Sequence, residues 1–146
     1  MKPRPASISA VVSILVLVVA GAAFASQGRD FAGPYALGAT SSSNGQVTLN
    51  FSARMYNYSG ADVAGATVTL QCQEQPNQVH LTFNSVAVAA NGSLKLSAPV
   101  TISQTEYTQW QRGRAPDLFI AYTDSSGASQ RRKVELTPQP GMQEVQ

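Results

Sequence analysis

The chain is predicted to fold as an all-β, antiparallel sandwich of about seven strands, and three features carry that prediction. The first is Gln46–Asn57, where Val47, Leu49, Phe51, Ala53 and Met55 alternate strictly with Thr48, Asn50, Ser52, Arg54 and Tyr56. Successive strand side chains project to opposite faces, so this stretch is a ribbon with one dry side and one wet side, and it is read as the central strand. The second is that comparable stretches recur with turn signals roughly every 8 to 12 residues, the spacing of a sandwich. The third is that no apolar pattern of helical period and ordinary length interrupts them.

The N-terminus is set apart from the fold. Met1-Lys-Pro-Arg-Pro is basic, Ile8 to Ala20 is apolar apart from Ser9 and Ser13, and Ala23-Phe24-Ala25 fits the small-x-small rule of a processing site. Residues 1–25 are therefore expected to be a cleaved secretory signal peptide, with an uncleaved anchor as the rival, and the mature domain to be secreted or periplasmic without stable membrane insertion. Of ten Lys and Arg, Lys2 and Arg4 leave with the leader, so eight basic residues face eight acidic ones. A mature charge near zero removes the compositional case for a nucleic-acid partner. Cys72 is the only cysteine, so no intrachain disulfide staples this exported domain.

Residues 26–45 are read as a polar lead-in with a first edge strand at Phe31–Leu37, since Pro34 withholds a ladder donor and is restricted to an edge or to a strand start, followed by a loop over Gly38–Gly45. Residues 46–137 form the predicted core. Gly65–Gln73 alternates with Ala66, Val68, Leu70 and Cys72 inward, and a hairpin through Asn57-Tyr-Ser-Gly-Ala-Asp62 is expected to join it to the central strand. This register makes Cys72 a small buried apolar side chain. Val79, Leu81 and Phe83 resume the alternation, and the phase shift at Asn84-Ser85 predicts a bulge.

Asn91-Gly92 is the strongest hairpin signal, between Val86–Ala90 and a strand holding Leu94, Leu96, Ala98, Val100 and Ile102, with Pro99 marking an edge. Tyr107 and Trp110, spaced for one side of a helical turn, are expected to close one end of the sandwich. Asp117–Thr123 and Arg131–Thr137 are the last two strands, paired antiparallel through a polar loop, and 138–146 is a flexible tail.

The run Arg54-Met-Tyr-Asn-Tyr-Ser-Gly-Ala-Asp-Val-Ala-Gly-Ala-Thr-Val-Thr-Leu70 resembles the strand, turn and strand of bacterial immunoglobulin-like and fibronectin type III-like modules. The resemblance implies an immunoglobulin-like β-sandwich, and it implies the work such modules do in exported proteins, as spacers, adhesion units or binding domains. The cysteine pair of antibody domains is absent.

No catalytic or metal constellation is visible in the sequence, and no cofactor is expected. His80 is the only histidine and lies between Val79 and Leu81, so period two turns it outward, and no nucleophile elbow accompanies it. One His cannot supply a blue-copper set, and the same count of Cys and His argues against tetrahedral zinc. Asp124-Ser-Ser-Gly127 offers a single carboxylate, which suits a turn better than calcium. Asn50, Asn57 and Asn91 each open a glycosylation tripeptide, a short pattern that arises by chance and supports no claim.

Arg54, Tyr56 and Tyr58 share the outward face and form a candidate binding face, either a glycan platform or ordinary cross-strand packing. Arg112, Arg114, Arg131, Arg132 and Lys133 are candidate basic contacts, although pairing of the last two strands would set the two groups at opposite ends. Solvated charge, partly paired with Asp117 and Glu135, is the simpler reading. The expected function is a non-enzymatic exported module for protein interaction or structural support, with carbohydrate binding through Tyr56 and Tyr58 as the alternative. A cleft that gathered His80, Cys72 and a carboxylate within bonding distance would contradict a purely passive surface.

Overall fold

The computed structural model describes residues 30–140, so the predicted leader and most of the predicted tail lie outside the described residues. Seven strands are present: β1 (Phe31–Ser43), β2 (Gln46–Asn57), β3 (Val63–Gln71), β4 (Val79–Val88), β5 (Ser93–Ser103), β6 (Asp117–Thr123) and β7 (Ser129–Pro138). Among the described residues one short helix, α1 (Gln104–Gln111), separates β5 from β6. The all-β prediction holds. The strands form one sheet in the order β4-β3-β6-β7-β1-β2-β5, antiparallel throughout except where β1 runs parallel to β7 from Phe31↔Val134 to Tyr35↔Pro138. The sheet is therefore mixed, where a wholly antiparallel arrangement was expected.

The connection between its two end strands shows that this sheet curls. Seven strands at ~4.8 Å spacing would separate β4 from β5 by about 29 Å if flat. Val88 and Ser93 bound that connection, and five residue steps reach at most ~18 Å. The sheet must bend until its ends meet, and Asn57 at the end of β2 clamps the junction. Its backbone N–H donates to Gly92 O (2.9 Å) and its carbonyl accepts from Asn91 N–H (2.9 Å). Its buried side-chain amide donates to Val88 O (3.1 Å) and Ala61 O (2.8 Å), while Oδ1 accepts from Ser59 N–H (2.9 Å).

The concave side holds one core. The inward alternation read from β2 is borne out, with Val47, Leu49, Phe51, Ala53 and Met55 all buried, and β3 contributes Ala66, Val68 and Leu70. Each large apolar side chain so buried contributes roughly 1.5–3 kcal/mol. Helix α1 closes one end, as expected of Tyr107 and Trp110. Trp110 is fully buried against Phe51 (6.0 Å between ring centroids), and Tyr107 packs at the margin of the core. The buried Tyr35 hydroxyl donates to Trp110 O (2.6 Å) and anchors the last turn of α1; burial pushes its pKa up to about 12.

Several connections differ from expectation, each for a physical reason. β2 pairs with β1 and β5 and lies one place from the sheet edge, so it is not central, and no hairpin joins it to β3. β2 pairs instead through Asn44-Gly45, whose φ values of 53° and 79° suit a tight hairpin turn, and β1 fills most of the predicted loop. Pro34 does not mark an edge. β1 lies inside the sheet, and its ladder with β2 lapses between Ala32↔Tyr56 and Tyr35↔Ala53, where Gly33 and Pro34 sit. Asn91-Gly92 is a true turn, with Asn91 at φ 62°, yet β4 and β5 share no ladder across it. Turn chemistry fixes local backbone direction, whereas the partner of each strand is decided by which apolar faces can be buried together. Pro99 does lie on edge strand β5, and the bulge expected at Asn84-Ser85 is present, with Ser85 at φ 56°.

Candidate functional site

The buried end of the core beneath α1 brings together Cys72, His80 and Glu106. Cys72 follows β3 and keeps its inward register, as expected, with its N–H held by Gln78 O (2.9 Å). His80 departs from expectation: its side chain is 8 % exposed and faces inward. The ladder explains why. Leu70 pairs with Leu81 and Gln71 with Val79, so His80 is the extra residue of a bulge in β4. A bulge re-aims one side chain against the period of two.

Glu106 enters from α1. Ser103 caps the helix, its Oγ accepting from Glu106 N–H (3.0 Å), and the helix then carries the Glu106 side chain into the core, where the residue is 0 % exposed. Glu106 Oε1 lies 2.9 Å from His80 Nε2 and 3.8 Å from Cys72 Sγ, while Oε2 accepts from Gln73 N–H (3.0 Å). Burial alone would raise the Glu106 pKa. Hydrogen bonds from His80 and the Gln73 backbone, the electrostatic attraction of the neighbouring imidazole and the Cys72 thiol outweigh it and hold the carboxyl below its ordinary value. Because the carboxylate accepts, His80 carries its proton on Nε2 in this arrangement. The surround is stiff: the Trp110 ring meets His80 edge-on (6.4 Å), Trp110 Nε1–H donates to Gln73 Oε1 (3.2 Å), and Gln73 Nε2 donates to Ala115 O (2.7 Å).

A thiol nucleophile needs the base hydrogen-bonded to its sulfur and the carboxylate behind the base, whereas here the thiol and the imidazole each bond to the same carboxylate oxygen. The three groups do offer sulfur, nitrogen and oxygen donors within 4.8 Å of one another. Cys72 also walls a surface cavity of about 240 Å³ with Pro76, Asp117, Phe119 and Arg131.

The face chosen from the sequence is a second candidate. Tyr56 and Tyr58 stack at 6.0 Å and 12°, and Tyr58 is 43 % exposed. With Gly33, Pro34 and Glu135 they line a groove of about 540 Å³. Arg54 donates to Ser93 Oγ (3.1 Å) and lines an adjoining cavity of about 410 Å³ with Lys95, the two meeting at Pro34. The groove lies over Gly33 and Pro34 of β1, where the β1–β2 ladder lapses.

The basic residues are dispersed among separate partners. Lys133 pairs with Asp117 (3.4 Å), Arg132 with Asp30 (3.3 Å), and Arg131 lies over the Phe119 ring (3.9 Å). The β6–β7 register sets Arg131–Lys133 beside Ala121–Phe119, along the body of β6 and not at its far end as expected. Arg112 caps α1, and Arg114 is exposed beyond it. Asp124 makes the turn anticipated for it, its Oδ1 accepting from Ser126 N–H (2.9 Å) and Ala128 N–H (3.0 Å). Among the described residues no helix is long and apolar enough to cross a membrane.

Sequence reasoning did not identify Glu106 and named a gathering of His80, Cys72 and a carboxylate only as the outcome that would contradict a purely passive surface; the fold produces that gathering at the buried end of the core. Ser103-Gln-Thr-Glu106 is a capping signature that marks the start of α1, but nothing in it says that the glutamate turns inward.

No family model matches the chain, and no curated protein does. Similar solved structures include two of a GH20 exo β-N-acetylglucosaminidase from Vibrio harveyi, one an inactive mutant and one in complex with N-acetylglucosamine. Each is 16% identical with a TM-score of 0.45 and covers 75% of this chain. The match spans 18% of the enzyme chain, and nothing about the activity of the present chain follows from it.

Proposed function

We propose that this chain is an exported, non-enzymatic β-sandwich module of the immunoglobulin-like or fibronectin type III-like kind, which meets a protein partner in the cell envelope or extracellular space by strand addition. In this reading the curled sheet divides along its parallel seam into two layers, β1-β2-β5 and β7-β6-β3-β4. The bond from Asn57 of β2 to Val88 of β4 and the shared apolar core support that division. Export rests on the leader-like sequence of residues 1–25.

The observation that carries the proposal is the contrast between the two sheet edges. β5 is blunted by Pro99, and the far half of β4 by the Ser85 bulge, whereas Val79–Phe83, although bulged once at His80, ends the sheet with neither proline nor acidic residue. Such an edge offers unpaired backbone groups to an incoming strand. The mature chain, used as bait in its native envelope extract, is expected to retain a protein, and Val79→Lys, at an exposed edge position, to release it. Recovery of no protein under mild conditions, or retention unchanged by Val79→Lys, would count against edge pairing.

A second reading is favoured by the groove at Tyr56 and Tyr58. The exposed face of Tyr58, with Glu135 as acceptor and Arg54 and Lys95 nearby, suits a sugar ring that stacks on an aromatic face while its hydroxyls are hydrogen-bonded. A glycan array read with Tyr58→Ala and Tyr56→Ala tests it, and binding that neither change affects would remove the platform.

A further inference from the structure

We infer that Cys72, His80 and Glu106 form a binding site for a borderline-soft divalent cation of the zinc type, independent of any pairing at β4. The count of Cys and His that argued against zinc left out carboxylates, which bind the same metal, and the fold adds one. The donors are a sulfur, an imidazole nitrogen and a carboxylate oxygen, drawn from the end of β3, a bulge in β4 and the first turn of α1. Three protein ligands with a fourth position left to water is a common zinc arrangement, and this mixture of donors disfavours magnesium and calcium, which take oxygen alone.

The distances are close to those a tetrahedral ion requires. Bond lengths of about 2.3 Å to sulfur and about 2.1 Å to nitrogen and oxygen put tetrahedral donors about 3.4 Å apart for N and O and about 3.6 Å apart for S and O. Here Nε2 and Oε1 are 2.9 Å apart, Sγ and Oε1 are 3.8 Å apart, and all three donors lie within 4.8 Å. Shifts of a few tenths of an ångström at Glu106 and His80, with a larger one closing the thiol onto the imidazole, would seat an ion. The Trp110 ring packed against His80, and the Gln73 N–H bond to Glu106 Oε2, orient two of the ligands from behind, as outer partners do in metal sites.

Binding requires Cys72 as thiolate and Nε2 free of its proton. The thiol proton therefore passes to solvent and the imidazole proton moves to Nδ1.

The test uses the untagged, reduced chain titrated with Co²⁺ and then Zn²⁺. One equivalent of Co²⁺ is expected to give tetrahedral d–d bands together with a thiolate-to-cobalt charge-transfer band, and Zn²⁺ to displace it. Cys72→Ser should remove the charge-transfer band, and His80→Ala should weaken Co²⁺ binding by about tenfold or more. Circular dichroism of each variant reports whether it still folds. Absence of a charge-transfer band from the unmodified chain overturns the site without recourse to any variant. A band that persists in folded Cys72→Ser also overturns it.

Discussion

Replacing Glu106 by Gln separates the roles of charge and shape at the buried end of the core. The carboxylate accepts two good hydrogen bonds, from His80 Nε2 (2.9 Å) and Gln73 N–H (3.0 Å), and a long one from Cys72 Sγ (3.8 Å). An amide of the same shape has one acceptor oxygen. If that oxygen faces Gln73, the NH₂ group meets His80 Nε2, which must then become an acceptor and pass its proton to Nδ1. Charge-assisted hydrogen bonds contribute about 1.5–3 kcal/mol and neutral ones about 0.5–1.5, so two bonds made neutral lose about 2 kcal/mol. Burying an amide in place of a carboxylate recovers part of this. Glu106→Gln should therefore cost no more than about 2 kcal/mol, roughly 8 °C in Tm for a domain of about this size.

Glu106→Ala should cost more, about 3 kcal/mol, because it orphans the Gln73 N–H and leaves a void beside Trp110. Thermal unfolding by circular dichroism measures both losses, and long-range ¹H–¹⁵N correlation spectra read the tautomer. The expected spectrum moves from Nε2–H in the parent to Nδ1–H in Glu106→Gln. A parent-like tautomer in folded Glu106→Gln, or an alanine variant within about 1 kcal/mol of the parent, would refute this account of the network.

Three further perturbations probe the frame around that site. Asn57→Ala removes bonds to Val88 O, Ala61 O and Ser59 N–H at the junction that closes the sheet, and should cost about 2–4 kcal/mol in chemical denaturation with the slope unchanged. A Cβ on Gly33 would overlap the backbone carbonyl of Arg54, so Gly33→Ala should lower stability by about 1–3 kcal/mol and alter the chemical shifts of Tyr56 across the groove. The Asp124 carboxyl is held down to about 2, from an ordinary 3.8, by the Ser126 hydroxyl, the Gln130 amide and the Ala128 N–H. A depressed pKa adds stability above the unfolded value, so the contribution of Asp124 is complete above about pH 4 and disappears as pH falls through about 2. Amide exchange at Ser126 and Ala128 should accelerate across that window in the parent but not in Asp124→Asn.

The sequence by itself determined the class of the fold and the inward face of most strands. Period two in β2 and β3 is a local property, since alternation obliges Val47 to Met55 and Ala66 to Leu70 to share a buried side whichever strands become neighbours. Cys72 followed from the same phase, Pro99 from a missing donor, and the Ser85 bulge from a break in the pattern. Tertiary structure alone decided strand order, the parallel seam between β1 and β7, and the curl that turns Asn91-Gly92 from a hairpin into a bridge between sheet ends. Pairing over long separations depends on which apolar faces fit together, and no local signal encodes that. The candidate site lies on the same side of this divide. His80 faces inward because one extra residue in β4 reverses its phase, and Glu106 meets it because α1 packs its first turn over that bulge, 26 residues further along the chain.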